Sequence, residues 1–195
     1  MDAQTTTTRR MGPAGSANWL AMLDGAEDIL REEGYAALTS RAVAERIGVK
    51  QRLVYYYFAT MDDLIVETFR RLSVRELERM RQIAATPRPL HELWDVLITT
   101  TDARLITEFT ALANRSEGLR VEVIAFIEQS RAIQVEALTA ALKAKGRDTA
   151  IAPIGLVLLA TSAALSLTRE AELGVTAGHV ELAGAIGAFL REVED

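Results

Sequence analysis

Apolar residues along this 195-residue chain recur at three- and four-residue intervals from Trp19 to Leu190. That is the spacing of one face of an α-helix, and no strand-like alternation of any length competes with it. A first helix is predicted over about Asn18–Glu33, with Leu20, Leu23, Ile29 and Leu30 as its stripe, Asn18 as its cap and Gly34 as its stop. Thr39 caps a short second helix carrying Val43, Ala44 and Ile47. Gly48 ends it, and a third short helix runs from about Lys50 to Tyr57. Thr60 and Asp63 form a shorter-armed relative of the Ser/Thr-x-x-Glu capping box. They open a long fourth helix, striped by Leu64, Ile65, Phe69, Leu72 and Leu77 and ended near Ala84 by Pro87 and Pro89. Further helices are predicted over Pro89–Thr101, Asp102–Arg115, Glu117–Lys145, Pro153–Leu173 and His179–Glu194. In the Glu117–Lys145 helix the expected core stripe is Ile124, Ile127, Leu138, Ala141 and Leu142, interrupted around Arg131 and Gln134.

The second and third helices, each of about two turns and joined by a tight glycine turn, form a helix-turn-helix. Its second member can enter the major groove of DNA. Val54, Tyr57 and Phe58 face inward. Gln51, Arg52, Tyr55 and Tyr56 are left on the other side, with Lys50 at the positive end of the helix dipole. Lys and Arg neutralise phosphates, Arg and Gln pair bidentately with guanine and adenine edges, and Tyr hydroxyls reach phosphate oxygens. We assign Arg41, Gln51 and Arg52 to base contacts and Lys50, Tyr55 and Tyr56 to phosphate contacts, with Ser40 as a further phosphate candidate. A packed helical hairpin with ordinary surface charge is the competing interpretation.

The stretch Leu38–Phe58, LTSRAVAERIGVKQRLVYYYF, resembles the DNA-binding domain of the TetR family of transcriptional repressors. The resemblance extends upstream through Trp19–Glu33, Gly34-Tyr35 and Leu38-Thr39, and downstream through Thr60, Asp63 and Leu64, about residues 18–72 in all. Lys50 stands where that pattern usually has a capping Ser or Thr. Arg52 and Leu53 replace residues that are commonly small, and Met61 replaces a frequent Lys. The resemblance implies an all-α chain. Its three-helix N-terminal domain would be joined by a long helix to a larger helical ligand-binding and dimerisation domain. The expected division is a disordered arm over 1–17, the DNA-binding domain over 18–72, and the larger domain over 73–195.

Net charge is −5 and pI about 5.2, which argues against general, charge-driven nucleic-acid binding. The distribution changes the picture: from Gly34 to Thr60 the charges are Arg41, Arg46, Lys50 and Arg52 against Glu45 alone. No cysteine is present, so thiolate catalysis and cysteine metal sites are excluded. His91 and His179 are far apart and lack an adjacent ligand pattern such as His-Glu-x-x-His, so no catalytic residue, metal or cofactor is assigned. Residues 1–17 lack the apolar core of a signal peptide. Arg9 and Arg10 in that arm suit a minor groove or phosphates, but a solvated tail is the favoured reading. Ile151–Leu167 is a nearly uncharged apolar run at the short limit for a membrane span, read here as an interface helix. A cytoplasmic protein with no membrane partner is expected.

A small-molecule pocket, which the resemblance implies for the larger domain, needs apolar walls with a few placed polar groups. Trp94, Phe109, Phe126 and Ile127 are the candidate walls, and Arg104, Glu108 and Arg131 the candidate anchors. The last two helices alternate small residues with large apolar ones. Leu158, Leu165, Leu182, Ile186 and Phe189 are assigned to a two-fold, four-helix dimer interface. The function expected is a homodimeric repressor that reads a palindromic double-stranded DNA operator and is released by a small apolar or amphipathic effector. A helical adaptor that uses the hairpin for protein contacts, and a helical enzyme, are the alternatives.

Overall fold

The computed structural model describes residues 12–99 and 101–195, and all regular structure among them is helical. The helices are α1 (Ala17–Glu32), α2 (Ser40–Arg46), α3 (Gln51–Tyr57), α4 (Met61–Ala84), α5 (Pro89–Thr99), α6 (Thr101–Leu112), α7 (Glu117–Ala144), α8 (Pro153–Glu172) and α9 (His179–Glu194). One 3-10 turn at Tyr35–Ala37 follows α1. The chain divides into two compact units between Arg70 and Arg71, within α4.

In the first unit the capping chemistry sets the helix boundaries. Ser16, two residues ahead of the expected Asn18, caps α1 by accepting from the Trp19 amide at 3.4 Å. The expected arm lies outside the described residues as far as Met11. From Gly12 the chain is already engaged, its amide donating to the Tyr56 carbonyl at 2.9 Å. Thr39 Oγ1 accepts from the Ala42 amide at 3.1 Å and starts α2. Gly48 closes that helix at φ 71°, a conformation that costs glycine nothing, and the Val49 amide returns to the Ala44 carbonyl. The Thr60–Asp63 box forms as expected: the Thr60 amide donates to Asp63 Oδ2 at 2.9 Å and the Asp63 amide to Thr60 Oγ1 at 3.1 Å.

Met22, Leu23, Ala26, Ile29 and Leu30 form the buried face of α1, and Leu20 is 41% exposed. At 100° per residue Leu20 lies about 120° round the helix from Ala26, so it leaves the stripe expected for it. Gly25 has a separate role. A Cβ there would come within 3.0 Å of Ile47 Cγ2, so the bare glycine lets α2 approach α1 closely. Arg46 fastens the same pair of helices, its guanidinium reaching Glu32 at 2.8 Å and Glu33 at 2.6 Å. Val43, Val54, Tyr57 and Phe58 are buried as expected, with the Trp19 ring stacked on Phe58 at 6.0 Å.

The second unit centres on a core in which Leu93 and Trp94 of α5, Leu138 and Leu142 of α7, Val157 and Ala164 of α8, and Leu190 and Val193 of α9 are buried together. The stripe on α7 differs from expectation. Leu119, Val123, Phe126, Gln134, Ala137, Leu138 and Leu142 are buried, and Ile124 is 49% exposed. Ile124 stands about 160° from Phe126 on the helical wheel, so both cannot face one core. Glu194, at the end of α9, closes the unit. Its side chain is 3% exposed, pairs with the His91 ring, and accepts from the Leu90 amide and, at 3.1 Å, the His91 amide. These are otherwise unsatisfied donors of the first turn of α5, so a carboxylate from the far end of the chain serves as its cap. Glu194→Ala should therefore lower stability by about 1–3 kcal/mol in urea denaturation. Glu194→Gln, which keeps an acceptor, should lose less. Equal, negligible losses would refute the capping role.

Candidate functional site

Two features of the structure invite chemistry, one in each unit. The first is the outward face of α3. Lys50, Gln51 and Arg52 are exposed, Tyr56 is 40% exposed and Tyr55 is half-buried. Lys50 is the residue just before α3 and offers no side-chain cap, so its ammonium remains available beside the free amides of the helix N-terminus.

Ser40 is not placed as expected. It is 5% exposed, held between α2 and α3. Gln51 Nε2 donates to Ser40 Oγ at 2.9 Å, and Ser40 Oγ donates to the Tyr55 hydroxyl at 3.0 Å. Its hydroxyl is buried and bonded to these two side chains and faces no phosphate. The chain of bonds orients Gln51 with one amide hydrogen spent, leaving Oε1 and the other N–H for a base edge. Tyr55 is braced by the same bonds. Sequence reasoning gave no signal for this hub, because Ser40 lies 11 residues from Gln51 and 15 from Tyr55.

The cations divide into engaged and disengaged. Arg41 is paired with Glu45 at 2.8 Å on the surface of α2, and the hydrogen bond to that carboxylate raises its pKa further above the ordinary arginine value. Arg46 is raised likewise by its hydrogen bond to Glu32. Lys50 and Arg52 carry no ion pair among the described residues.

The second feature is an apolar cavity of about 650 Å³, partly open to solvent and bordered by α5, α7, α8 and α9. Leu93, Trp94, Leu138, Val157, Ile186 and Phe189 are among its walls, and its polar lining among the described residues is Gln134 and Ser162. Of the residues expected to hold a ligand, Trp94 alone is placed there. Phe109 and Phe126 are buried away from this cavity, Glu108, Ile127 and Arg131 are half-buried elsewhere, and the side chain of Arg104 lies outside the described residues. The expectation followed apolar spacing on α6 and α7, whereas the cavity is built by residues that four separate helices bring together. The residues assigned to the dimer interface also divide. Leu158 and Leu165 are exposed on α8, and Leu182 is 37% exposed at the cavity. Ile186 and Phe189 instead turn onto the unit's own core and line the cavity.

Residues 22–68 match the family described as bacterial regulatory proteins, tetR family. No curated protein matches the chain. Among solved structures, the reduced form of NemR from E. coli aligns over 91% of this chain and 98% of its own, at 13% identity and a TM-score of 0.75. A transcriptional regulator from Saccharomonospora viridis in complex with choline aligns over 89% and 93%, at 14% identity and a TM-score of 0.75. FadR from Bacillus subtilis in complex with stearoyl-CoA aligns over 88% and 97%, at 17% identity and a TM-score of 0.59. Residues 22–68 thus resemble the tetR family of bacterial regulatory proteins, and along its length the chain shares the fold of solved structures described as transcriptional regulators.

Proposed function

We propose that the chain is a homodimeric transcriptional repressor that binds a palindromic DNA operator and is released by a small apolar or amphipathic effector. The observation that carries the DNA half is the outward face of α3, where Lys50 and Arg52 are exposed, with no ion-pair partner among the described residues, beside a pre-oriented Gln51. Arg52 and Gln51 read base edges, and Lys50, Tyr55 and Tyr56 hold phosphates. Arg41 joins the base contacts only by leaving Glu45. That exposed pair is weak enough in water for DNA to displace it.

Dimerisation rests on the apolar surface of α8. Ile154, Leu158 and Leu165 fall on one exposed stripe, with Leu159 58% exposed beside them. By length and composition this helix, alone among the described residues, could also cross a membrane. The adjacent face, through Val157 and Ala164, is built into the core of the second unit, which favours a second copy over lipid as the cover of the exposed stripe. Two-fold pairing would present two recognition helices to successive major grooves, roughly 34–36 Å apart. The cavity supplies the effector half. That two similar regulators hold stearoyl-CoA and choline supports a small-molecule role for this fold. Helix α4 runs from one unit into the next as a single element, the route by which an effector would alter the DNA-binding unit. The site that this reading assigns is a binding site in a cytoplasmic regulator, with no catalytic step.

Fluorescence anisotropy against the duplex upstream of the chain's own gene, with random duplex as competitor, tests the proposal. Saturable, competitor-resistant binding is expected, and absence of any binding even at low salt would refute it. Arg52→Ala should cost about 1–3 kcal/mol of specific binding and relax discrimination at one base position. Lys50→Ala should weaken specific and random duplexes alike and lower the salt slope by about one for each lysine lost. Ser40→Ala should leave the helices intact by circular dichroism yet reduce discrimination at the base read by Gln51. Unchanged discrimination would remove Ser40 from that role. Leu158→Arg with Leu165→Arg should yield a folded monomer in sedimentation with much reduced operator affinity. A persisting dimer would move the interface elsewhere.

A further inference from the structure

The cavity of the second unit has a chemical bias that narrows what it accepts. Its walls are aliphatic and aromatic, and among the described residues no charged side chain lines it. A carboxylate or ammonium seated against these walls, inside the mouth that Leu159 and Leu182 leave open, would lose part of its hydration with no counter-charge among the described residues in return. Ser162 is exposed, so Gln134 is the one buried polar side chain in the lining, at 8% exposure.

Gln134 is incompletely satisfied. One hydrogen of its Nε2 goes to the Ser130 carbonyl one turn back, at 3.2 Å. Its Oε1 lies 3.5 Å from the Thr161 hydroxyl, which already donates to the Val157 carbonyl at 2.9 Å. A primary amide offers two hydrogens and two lone pairs. One N–H and most of the carbonyl's capacity are therefore unclaimed among the described residues, on a buried group that borders an apolar space of about 650 Å³. Fixed to its own helix by Ser130, the amide can present a donor and an acceptor side by side.

We infer that this cavity binds an uncharged, largely apolar molecule whose single hydrogen-bonding group, a hydroxyl, ketone or carboxamide, is held by Gln134. The inference rests on the regulator reading for its purpose but on the cavity alone for its chemistry. The volume lies in the range of drug-sized ligand sites. Gln134 sets specificity and the surrounding leucines set affinity. A hydroxyl both accepts from Nε2 and donates to Oε1, so an alcohol meets both halves of the amide.

Calorimetric titration of the full-length protein with 1-decanol, decanoate and decyltrimethylammonium tests this on one chain length with three heads. The alcohol should bind once per chain, and the two ions at least about tenfold more weakly. Shortening the alcohol to 1-octanol should weaken binding by up to about fourfold per methylene. Gln134→Leu should weaken decanol by about 3–10-fold, the worth of a hydrogen bond. The same variant should keep the methylene increment, which shows its cavity intact. Ala160→Phe, which fills the lining, should abolish binding while circular dichroism is unchanged. Decanoate or the ammonium binding as tightly as decanol would overturn the inference, as would an indifferent Gln134→Leu. Decanol that binds only by splitting the dimer in sedimentation would also overturn it, by making a second copy the occupant. No binding by any probe in protein that holds its operator would overturn the cavity assignment and leave the regulator reading intact. Decanol binding in protein that holds no duplex would support the cavity and overturn the regulator reading.

Discussion

Helix α8 carries more apolar surface than one chain can cover, and the second unit is arranged around that excess. Its inner stripe, through Val157 and Ala164, closes the core against α5, α7 and α9. Its outer stripe, through Ile154, Leu158 and Leu165, is left in solvent. Between these stripes Leu156, Leu159 and Ala160 border a cavity that the four helices do not fill. Small side chains explain the gap. Ala160, Ala163 and Ala185 in the lining leave volume that larger side chains would fill. The same helix thus supplies a core face, a cavity wall and a surface that calls for a partner.

The first unit solves a different problem, which is to hold a seven-residue helix rigidly enough to read DNA. Isolated, α3 is far too short to be stable. Its order comes from tertiary contacts: Val54 and Tyr57 buried beneath it, Phe58 stacked under Trp19, and the Ser40 hydroxyl bonded to Gln51 and Tyr55 on its flank. Behind it, α2 is drawn against α1 through the bare Gly25 and clamped by Arg46 on Glu32 and Glu33. Rigidity here is built from short-range contacts on every side of a small element.

Helix boundaries were legible in the sequence because their causes are local. Thr39, Gly48, the Thr60–Asp63 pair and Pro89 each act within one turn of their own position, and each does so in the structure. Facing was less legible. On α1 and α7 apolar residues occur on more than one side, so spacing alone gave Leu20 and Ile124 to the core when Met22 and Phe126 occupy it. The cavity was least legible of all. It depends on which residues four helices bring together, and the polar group at its wall, Gln134, reads in sequence as an interruption of a stripe. The Glu194 cap on α5 and the Ser40 hub are hidden for the same reason, since their partners are 103 and 104 residues away in one case and 11 and 15 in the other.

Charge then decides how a protein of net charge −5 can bind a polyanion. The sequence around the helix-turn-helix shows four cations against one carboxylate, but the structure reduces the usable number. Arg46 is committed to Glu32 and Glu33, and Arg41 is loosely held by Glu45. That leaves Lys50 and Arg52 as the cations without an ion pair among the described residues of this segment. On the proposed DNA-binding role, these two charges among the described residues would release few counterions, so non-specific affinity would stay low and its dependence on salt shallow. Affinity must then come from fitted contacts at base edges, with the backbone serving to position them. On the proposed reading the orientation of Gln51 and the reach of Arg52 would count for more than the summed charge of the patch, and a buried serine between two helices would be part of how sequence is read.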